Sequence, residues 1–466
     1  MQLNIFREYD IRGIVGNELV IEECYDLARA IVTYLRTKNP TLTTVIVGRD
    51  GRLHSTAIWQ QIVAGITSLG YDVIDIGICP TPAAYFAVHH LGIQNMLMIT
   101  ASHNPGTYNG IKLWDLAGPH IRAIRDLFAA QTFMAPIGTP GSITNYPILP
   151  HYLDCLAEKF SHLKGLSINT IFDCGNGAAG TMIADLIARM GWQNAELLYE
   201  AVDGTFPNHE PDPTVAQHMT VLANMLRTSA TYTLGIGFDG DCDRMNPMTH
   251  TGHLVPGDHM LALFAKSVLT THPNAAVVCD IKSSGSLIDV LKQLGAVPCI
   301  AASGHANIKS VIKENHAMLG GELSCHFFFH DRYFGFDDGI YAALRTIEMV
   351  HQAGTTLEAL LQSIPHKVSS PEIRIACAAH GDNLAIVESI KQIFAARTDL
   401  ELITIDGIRA HMDYGWGLLR ASNTQPVISL RFESDSAAGL KRVKEEFLLL
   451  LTPYFDEHLL RTKIEL

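Results

Sequence analysis

The sequence predicts an α/β chain of three related mixed α/β units followed by a smaller α+β unit. Three observations lead there. A strand, a glycine-rich polar loop, an amphipathic stretch and a second strand recur three times. Pro/Gly-rich linkers punctuate the recurrences at 135–150, 249–257 and 364–371. The length, 466 residues, suits three or four domains at roughly 150 residues each.

Taken in order, residues 44–47 (TVIV) read as a buried strand, followed by the turn GRDGR and an amphipathic stretch ending at Leu69-Gly70. The unit returns through YDVIDIGI. Residues 170–172 (TIF) lead into DCGNGAAG, a helical stretch ending at Met190-Gly191, and the strand QNAELLYE. Residues 276–278 (AVV) lead into CDIKSSGS, a helix ending at Leu294-Gly295, and AVPCIAAS. From about Glu372 the character changes. Strands IRIACAA, ELITIDGI and VISLRFE precede a final amphipathic helix near 437–451. The expected domains are 1–147, 148–252, 253–367 and 368–466.

Lys+Arg is 34 against Asp+Glu 47, a net charge of −13. That balance argues against a nucleic-acid or anionic-membrane surface, yet leaves room for a local basic pocket that takes a small anion. Hydrophobic residues make up 47% and charged residues 17%, below the usual ~25%, which excludes disorder. The segment MQLNIFREYDIRG holds no apolar core of signal-peptide length. The longest plain aliphatic run, 448–451, is far short of the ~20 residues of a membrane span. Nine scattered cysteines without a CxxC pair read as buried thiols of a reducing cytosol, not as a disulfide framework or zinc site.

Five segments carry chemistry. TASHNPGTYNGIK (100–112) follows a strand-like run, and on local composition SHNP and YNG read first as a plain turn. Ser102 in that loop suits a nucleophile or phosphoryl carrier, with His103 and Lys112 offering proton transfer or charge. GFDGDCDR (237–244) alternates Asp239, Asp241 and Asp243, which on an extended segment would face one side. Three close carboxylates call for a cation, for which oxygen-only ligands suit Mg²⁺; the alternative is a solvated acidic turn. An EF-hand fails on counting: Arg244 and His250 stand where Gly and Glu are needed. GNGAAG (175–180), with Glu200 beyond it, has a dinucleotide-site context, but close helix–strand packing explains it as well. GIGFDG (235–240) matches the same pattern but runs into the aspartates, and a phosphate P-loop is absent from the sequence. GELSCH (321–326) spaces Glu322, Ser324 and His326 by two, one polar face if extended, able to bond vicinal hydroxyls or equally the polar face of an edge strand. RASNTQP (420–426) offers a guanidinium, hydroxyls, an amide and backbone N–H groups, a phosphate cradle or an Asx/ST turn.

Together with FREYDIRG (6–13), these segments, in this order and spacing, resemble the α-D-phosphohexomutases, most closely the phosphomannomutase/phosphoglucomutase branch. The resemblance spans nearly the whole chain and implies four domains around a central cleft. It implies that Ser102 carries the transferable phosphoryl group and completes, with Asp239, Asp241 and Asp243, the shell of one Mg²⁺. Lys112 and His305 fall at candidate acid/base positions, with His103 beside the serine. Arg12, Arg244 and Lys282 fall at positive substrate-lining positions. Glu322, Ser324 and His326 match the sugar-hydroxyl loop, and Arg420, Ser422, Asn423 and Thr424 the loop that grips the distal phosphate.

The implied reaction moves phosphate between O1 and O6 of mannose or glucose phosphates through a phosphoserine and a hexose 1,6-bisphosphate, which also serves as activator. Both half-reactions use one constellation, so the distal cradle accepts either end of the sugar. Closure of the C-terminal unit would exclude water. The implied setting is a cytoplasmic monomer or weak homo-oligomer that meets small hexose phosphates, without nucleic acid or membrane partners. Tyr108-Asn109 and Ser422-Asn423-Thr424 favour the mannose/glucose branch over phosphoglucosamine mutase, the alternative. Cys325 stands where the family more often has Gly, which bears on sugar preference. A nicotinamide-linked dehydrogenase built on GNGAAG and a non-catalytic sugar-phosphate binder are the readings from other classes.

Overall fold

The computed structural model describes residues 1–378, 381–422 and 426–465. The chain divides into two compact units, each assembled from two stretches. Unit one is Met1–Gly257 with Ser324–Leu361; unit two is Asp258–Leu323 with Gln362 onward.

Unit one begins with a six-stranded mixed sheet. Its strands are β1 (Ile11–Ile14), β2 (Thr44–Arg49), β3 (Asp72–Ile78), β4 (Met96–Ile99), β5 (Tyr108–Leu113) and β6 (Ile143–Asn145), in the order β1-β5-β4-β2-β3-β6. The β4, β2, β3 and β6 neighbours run parallel, and β1 and β5 pair antiparallel. Interior parallel strands are covered on both faces, so they read as unbroken apolar runs; β4 (MLMI) is buried at every position. Helices Cys24–Lys38, Ser55–Ser68 and Pro119–Ala129 bring Leu27, Ile31, Ile62 and Ile124 against Val47, Leu97 and Ile111 in one core.

A second sheet in the same unit holds β7 (Ser167–Asp173), β8 (Gln193–Leu198), β9 (Leu234–Phe238) and β10 (Met245–Thr249), ordered β10-β9-β7-β8. β9 (LGIGF) is buried throughout, and Gly235 accommodates Leu222 and Leu226 of the helix Thr220–Thr228. The helix Gly339–Ala353 packs on β10.

Unit two contains the parallel strands β11 (Ala276–Asp280), β12 (Val297–Ala301) and β13 (Leu319–Gly321), with β11 between the other two. It also holds an antiparallel sheet of Val368–Ser369, Ile373–Ala376, Glu401–Ile403, Ile408–Met412, Gly415–Ala421 and Val427–Ser434. Ile390, Phe394, Phe432 and Phe447 fill its core.

Three sequence expectations need correction. ELITIDGI is two strands, broken where Gly407 turns the chain at φ +77. Ala437–Leu451 is helical but not the last helix, since Asp456 caps a further one, Glu457–Ile464. GNGAAG opens onto the 3-10 turn Ala178–Thr181, and the α-helix Ile183–Met190 begins only after it. Among the described residues, no helix is long and apolar enough to cross a membrane.

The parallel strands position the chemistry. Side chains at their carboxyl ends are free of the next pairing partner and can face a ligand. Ser102 follows β4, and the aspartates follow β9. In unit two, Lys282 follows β11, His305 follows β12 and Glu322 follows β13.

Candidate active site

In unit one, strands β4 and β9 end so that two loops meet. Ser102 turns the chain at φ +51, and its Oγ donates to Asp239 Oδ2 at 3.1 Å, lying also 3.2 Å from His103 Nδ1. The three aspartates are fully or almost fully buried, with one oxygen from each within 4.8 Å of the others. They do not alternate along a strand. Residues 240–243 form a turn with Cys242 at φ +63, and the turn brings the carboxylates together.

Lys112, on β5, reaches into the same cluster. Its Nζ donates to Asp241 Oδ2 at 2.7 Å and to Asp243 Oδ2. Burial works against its charge, but the two carboxylates outweigh it and hold the ammonium protonated well above its usual range. Burial, then the charges of Asp243 and Asp241, push Asp239 well up. Burial opposes ionisation of Asp243 too, but Lys112 and His326 pull it well down. Arg244 spans the Ser102 loop and the GELSCH segment. Its Nη2 donates to His103 Nδ1 at 2.6 Å, its Nε to His326 Nε2 at 3.3 Å, and Nε lies 3.6 Å from Asp239 Oδ2. Burial, then Arg244 and Arg12, push His103 well below the usual imidazole range, so the ring is neutral and accepts. Arg12 anchors the serine loop through Asn104 Oδ1 at 2.7 Å and pairs with Asp10.

His326 Nε2 also lies 3.4 Å from Asp243 Oδ1, and Ser324 Oγ is 3.2 Å from its Nδ1. The expected period-two face of Glu322, Ser324 and His326 is a turn instead, because Cys325 adopts φ +67. Cys325 Sγ donates to Asn246 Oδ1 at 3.4 Å, tying this turn to β10.

Unit two carries its own cluster. Lys282 Nζ lies 3.7 Å from Asp280 Oδ2 and 3.6 Å from Glu372 Oε2. Glu322 Oε1 accepts from Gly304 N at 2.8 Å, beside His305, the first residue of the helix His305–Asn315. Asp406 Oδ2 accepts from Ser303 N at 3.2 Å and from Arg420 Nε at 3.0 Å, joining the His305 loop to the RASNTQP segment. Ser422 N donates to Val427 O at 3.0 Å. Asn423 and Thr424 lie outside the described residues.

Phosphoglucomutase/phosphomannomutase alpha/beta/alpha domains I, II and III match residues 3–132, 150–252 and 256–368, and the C-terminal domain of that family matches 372–450. The chain is 38% identical to a phosphomannomutase/phosphoglucomutase of Pseudomonas aeruginosa, across 95% of this chain and 94% of that one. The chain belongs to the phosphoglucomutase/phosphomannomutase family. It is a phosphohexomutase, an enzyme of the isomerase class. A phosphoglucomutase of Neisseria gonorrhoeae is 36% identical over 95% of this chain and 96% of that protein. A solved family protein from Burkholderia thailandensis superposes at TM-score 0.87, with 32% identity over 97% of this chain and 98% of that one.

Three further residues of this phosphohexomutase's unit one join the cluster without having stood out in the sequence. Thr81, at the start of the helix Thr81–Leu91, donates from Oγ1 to Asp241 Oδ2 at 2.5 Å and from N to Asp241 O at 2.8 Å. Asp337 brings a carboxylate oxygen within 4.8 Å of His326 and Asp243. Arg52 holds the serine loop from beneath. No local pattern marks any of them; a threonine after a proline and an arginine in a turn are ordinary sequence.

The aspartate trio fits a hard divalent cation. Its donors are all oxygen, and Asp241 Oδ1 is buried without a hydrogen-bond partner among the described residues. The glycines of GNGAAG serve packing: a Cβ at Gly177 would lie 2.8 Å from Gly240 O, and one at Gly180 would lie 1.8 Å from Glu200 O. Ala178 N donates to that same Gly240 O at 2.9 Å, so the motif braces the aspartate loop.

Proposed function

We propose that this phosphohexomutase interconverts the 1- and 6-phosphates of mannose and glucose by passing phosphate through Ser102 and a hexose 1,6-bisphosphate. The observation that carries the reading is the 3.1 Å contact between Ser102 Oγ and Asp239, inside a buried cluster that also holds Lys112 and Arg244. Phosphoryl transfer depends chiefly on alignment and charge neutralisation, and the cluster supplies both. Asp239, Asp241 and Asp243, with an oxygen on Ser102, would hold Mg²⁺; bound there, the ion neutralises charge on the phosphoryl oxygens.

The chain's own groups do the rest. Arg244 and Arg12 offer guanidinium donors to phosphate oxygens. Lys112, held charged, donates a hydrogen bond or a proton toward the departing serine oxygen, and His103, held neutral, keeps Arg244 turned toward the serine. In the reading, His305 takes the proton of the attacking sugar hydroxyl. Lys282, Glu322, Ser324, His326, Arg420, Ser422, Asn423 and Thr424 bind the sugar and its distal phosphate. The enzyme works in the cytoplasm on small hexose phosphates, as a monomer or weak homo-oligomer, with its nine cysteines as free thiols.

Ser102→Ala tests the reading. Turnover of mannose 1-phosphate and glucose 1-phosphate should stop in a coupled assay, while binding of either sugar by calorimetry survives. Wild-type chain should show one added phosphate on Ser102 by intact mass, and a hexose 1,6-bisphosphate should stimulate turnover. Full activity of the alanine variant would overturn it. Glucosamine 1-phosphate as the preferred substrate in the same assay would move the enzyme to the phosphoglucosamine branch.

A further inference from the structure

Arg52 sits in the turn after β2, apart from the residues assigned to the phosphoryl transfer or to sugar binding. It is almost wholly buried, and its five N–H groups meet five acceptors. Nε donates to Asp50 Oδ2 at 3.1 Å. Nη1 donates to Pro105 O at 2.8 Å and Tyr108 O at 3.1 Å. Nη2 donates to Ser102 O at 2.7 Å and Asn104 O at 2.6 Å. A guanidinium has no further donor to give. Four of the five acceptors are main-chain carbonyls of the one segment that carries Ser102.

The anchor is itself fixed. Asp50 Oδ1 accepts from Ser55 Oγ at 2.6 Å and from Arg52 N at 3.1 Å. The Phe206 ring lies 5.0 Å from the guanidinium carbon. From another side, Gly240 of the aspartate turn approaches so closely that a Cβ there would lie 2.6 Å from Ser102 O. Ser102 meanwhile holds φ +51, a conformation costly for any residue with a Cβ unless its surroundings enforce it.

We infer that Arg52 is a positioning residue that fixes the Ser102 backbone in its left-handed turn and thereby aims Oγ at the aspartate cluster. Its charge alone would not do this. A lysine ammonium offers three donors from one point and cannot span four carbonyls laid out around a planar fork. A misplacement of about 1 Å at a reacting atom can cost on the order of 10²-fold in rate.

The inference rests on the phosphoserine reading, and the experiment separates the two. Full-length wild type, Arg52→Lys and Ser102→Ala are mixed with glucose 1,6-bisphosphate, and phosphate gain is followed by intact mass beside steady-state kinetics and circular dichroism. Arg52→Lys should remain folded, keep KM within about threefold, and lose kcat and serine phosphorylation rate together by on the order of 10²-fold. Arg52→Gln, uncharged and forkless, should lose at least as much. The inference is overturned if Arg52→Lys keeps wild-type kcat, or if its loss only tracks an unfolded fraction. A wild-type chain that carries no phosphate on Ser102 either before or after the bisphosphate is added, like Ser102→Ala, would sink the phosphoserine reading and the inference with it.

Discussion

Glu372 and Lys112 show how single carboxylates and ammonium groups are kept ionised inside this protein. Lys112 keeps its charge because two aspartates face it. Glu372 keeps its charge for the complementary reason. Burial pushes its pKa up, but Lys282 and the hydrogen bond from Ser429 Oγ outweigh it, bringing it from 4.5 to about 2. A carboxyl group whose folded value lies below its unfolded value binds fewer protons when folded. Its contribution to stability is therefore complete above about pH 4.5 and is lost as pH falls toward 2. The shift corresponds to on the order of 3 kcal/mol. Glu372→Gln should thus lower stability by on the order of 2–3 kcal/mol at pH 7. Thermal melts from pH 7 down to pH 3 should show the gap to wild type narrowing through the acid limb. A gap that stays constant across that range would show that Glu372 is held by packing and not by charge.

Among elements, the helix Gly339–Ala353 has the clearest consequence for the site. Asp338 caps it by accepting from Tyr341 N at 2.8 Å, and the same carboxylate takes Tyr152 Oη at 2.8 Å and Tyr333 Oη at 2.7 Å. The helix start cannot slide. Gly339 N donates to Cys242 O at 3.0 Å, and a Cβ on Gly339 would lie 2.5 Å from Arg244 O and 2.7 Å from Cys242 O. In Gly339→Ala the aspartate turn has to yield, because the cap holds the helix. Mg²⁺ affinity by calorimetry should weaken roughly tenfold or more, with kcat falling alongside, as happens when support behind metal ligands is disturbed. Unchanged Mg²⁺ binding would mean that the turn keeps its shape without the helix.

This element also marks the limit of what the chain's letters convey. Ser102, Asp239, Asp241, Asp243, Lys112 and Arg244 were legible, because strand-then-loop motifs keep their reactive residues within a few positions. The same loops hid their conformation. Alternation put the aspartates, and Glu322, Ser324 and His326, on extended faces, whereas left-handed Cys242 and Cys325 make both segments turns. Arg52, Thr81 and Gly339 were silent because each acts on a loop distant in sequence; Thr81 meets Asp241 across 160 positions.

Over the whole molecule, charge sets what the site needs. The chain carries −13, so its general field repels a hexose phosphate, and only local cations can draw one in. Within the serine cluster, Asp239, Asp241 and Asp243 outnumber the cations that face them, Lys112 and Arg244. A phosphorylated serine would add about −1.5 to −2 more, buried, which that cluster cannot bear without a divalent cation. The trio should therefore bind Mg²⁺ more tightly once Ser102 is phosphorylated, because the added oxygens and charge face the ion. The effect belongs to unit one, which holds both Ser102 and the aspartates. Hydrogen exchange followed by mass spectrometry can read it along the chain. Mg²⁺ added to the phosphorylated protein should slow amides in peptides covering 100–106 and 237–246, and by less in Ser102→Ala. Peptides from 405–421 in unit two should not change. Equal protection in both units, or identical protection with and without the serine, would place the ion elsewhere than on the trio beside Ser102.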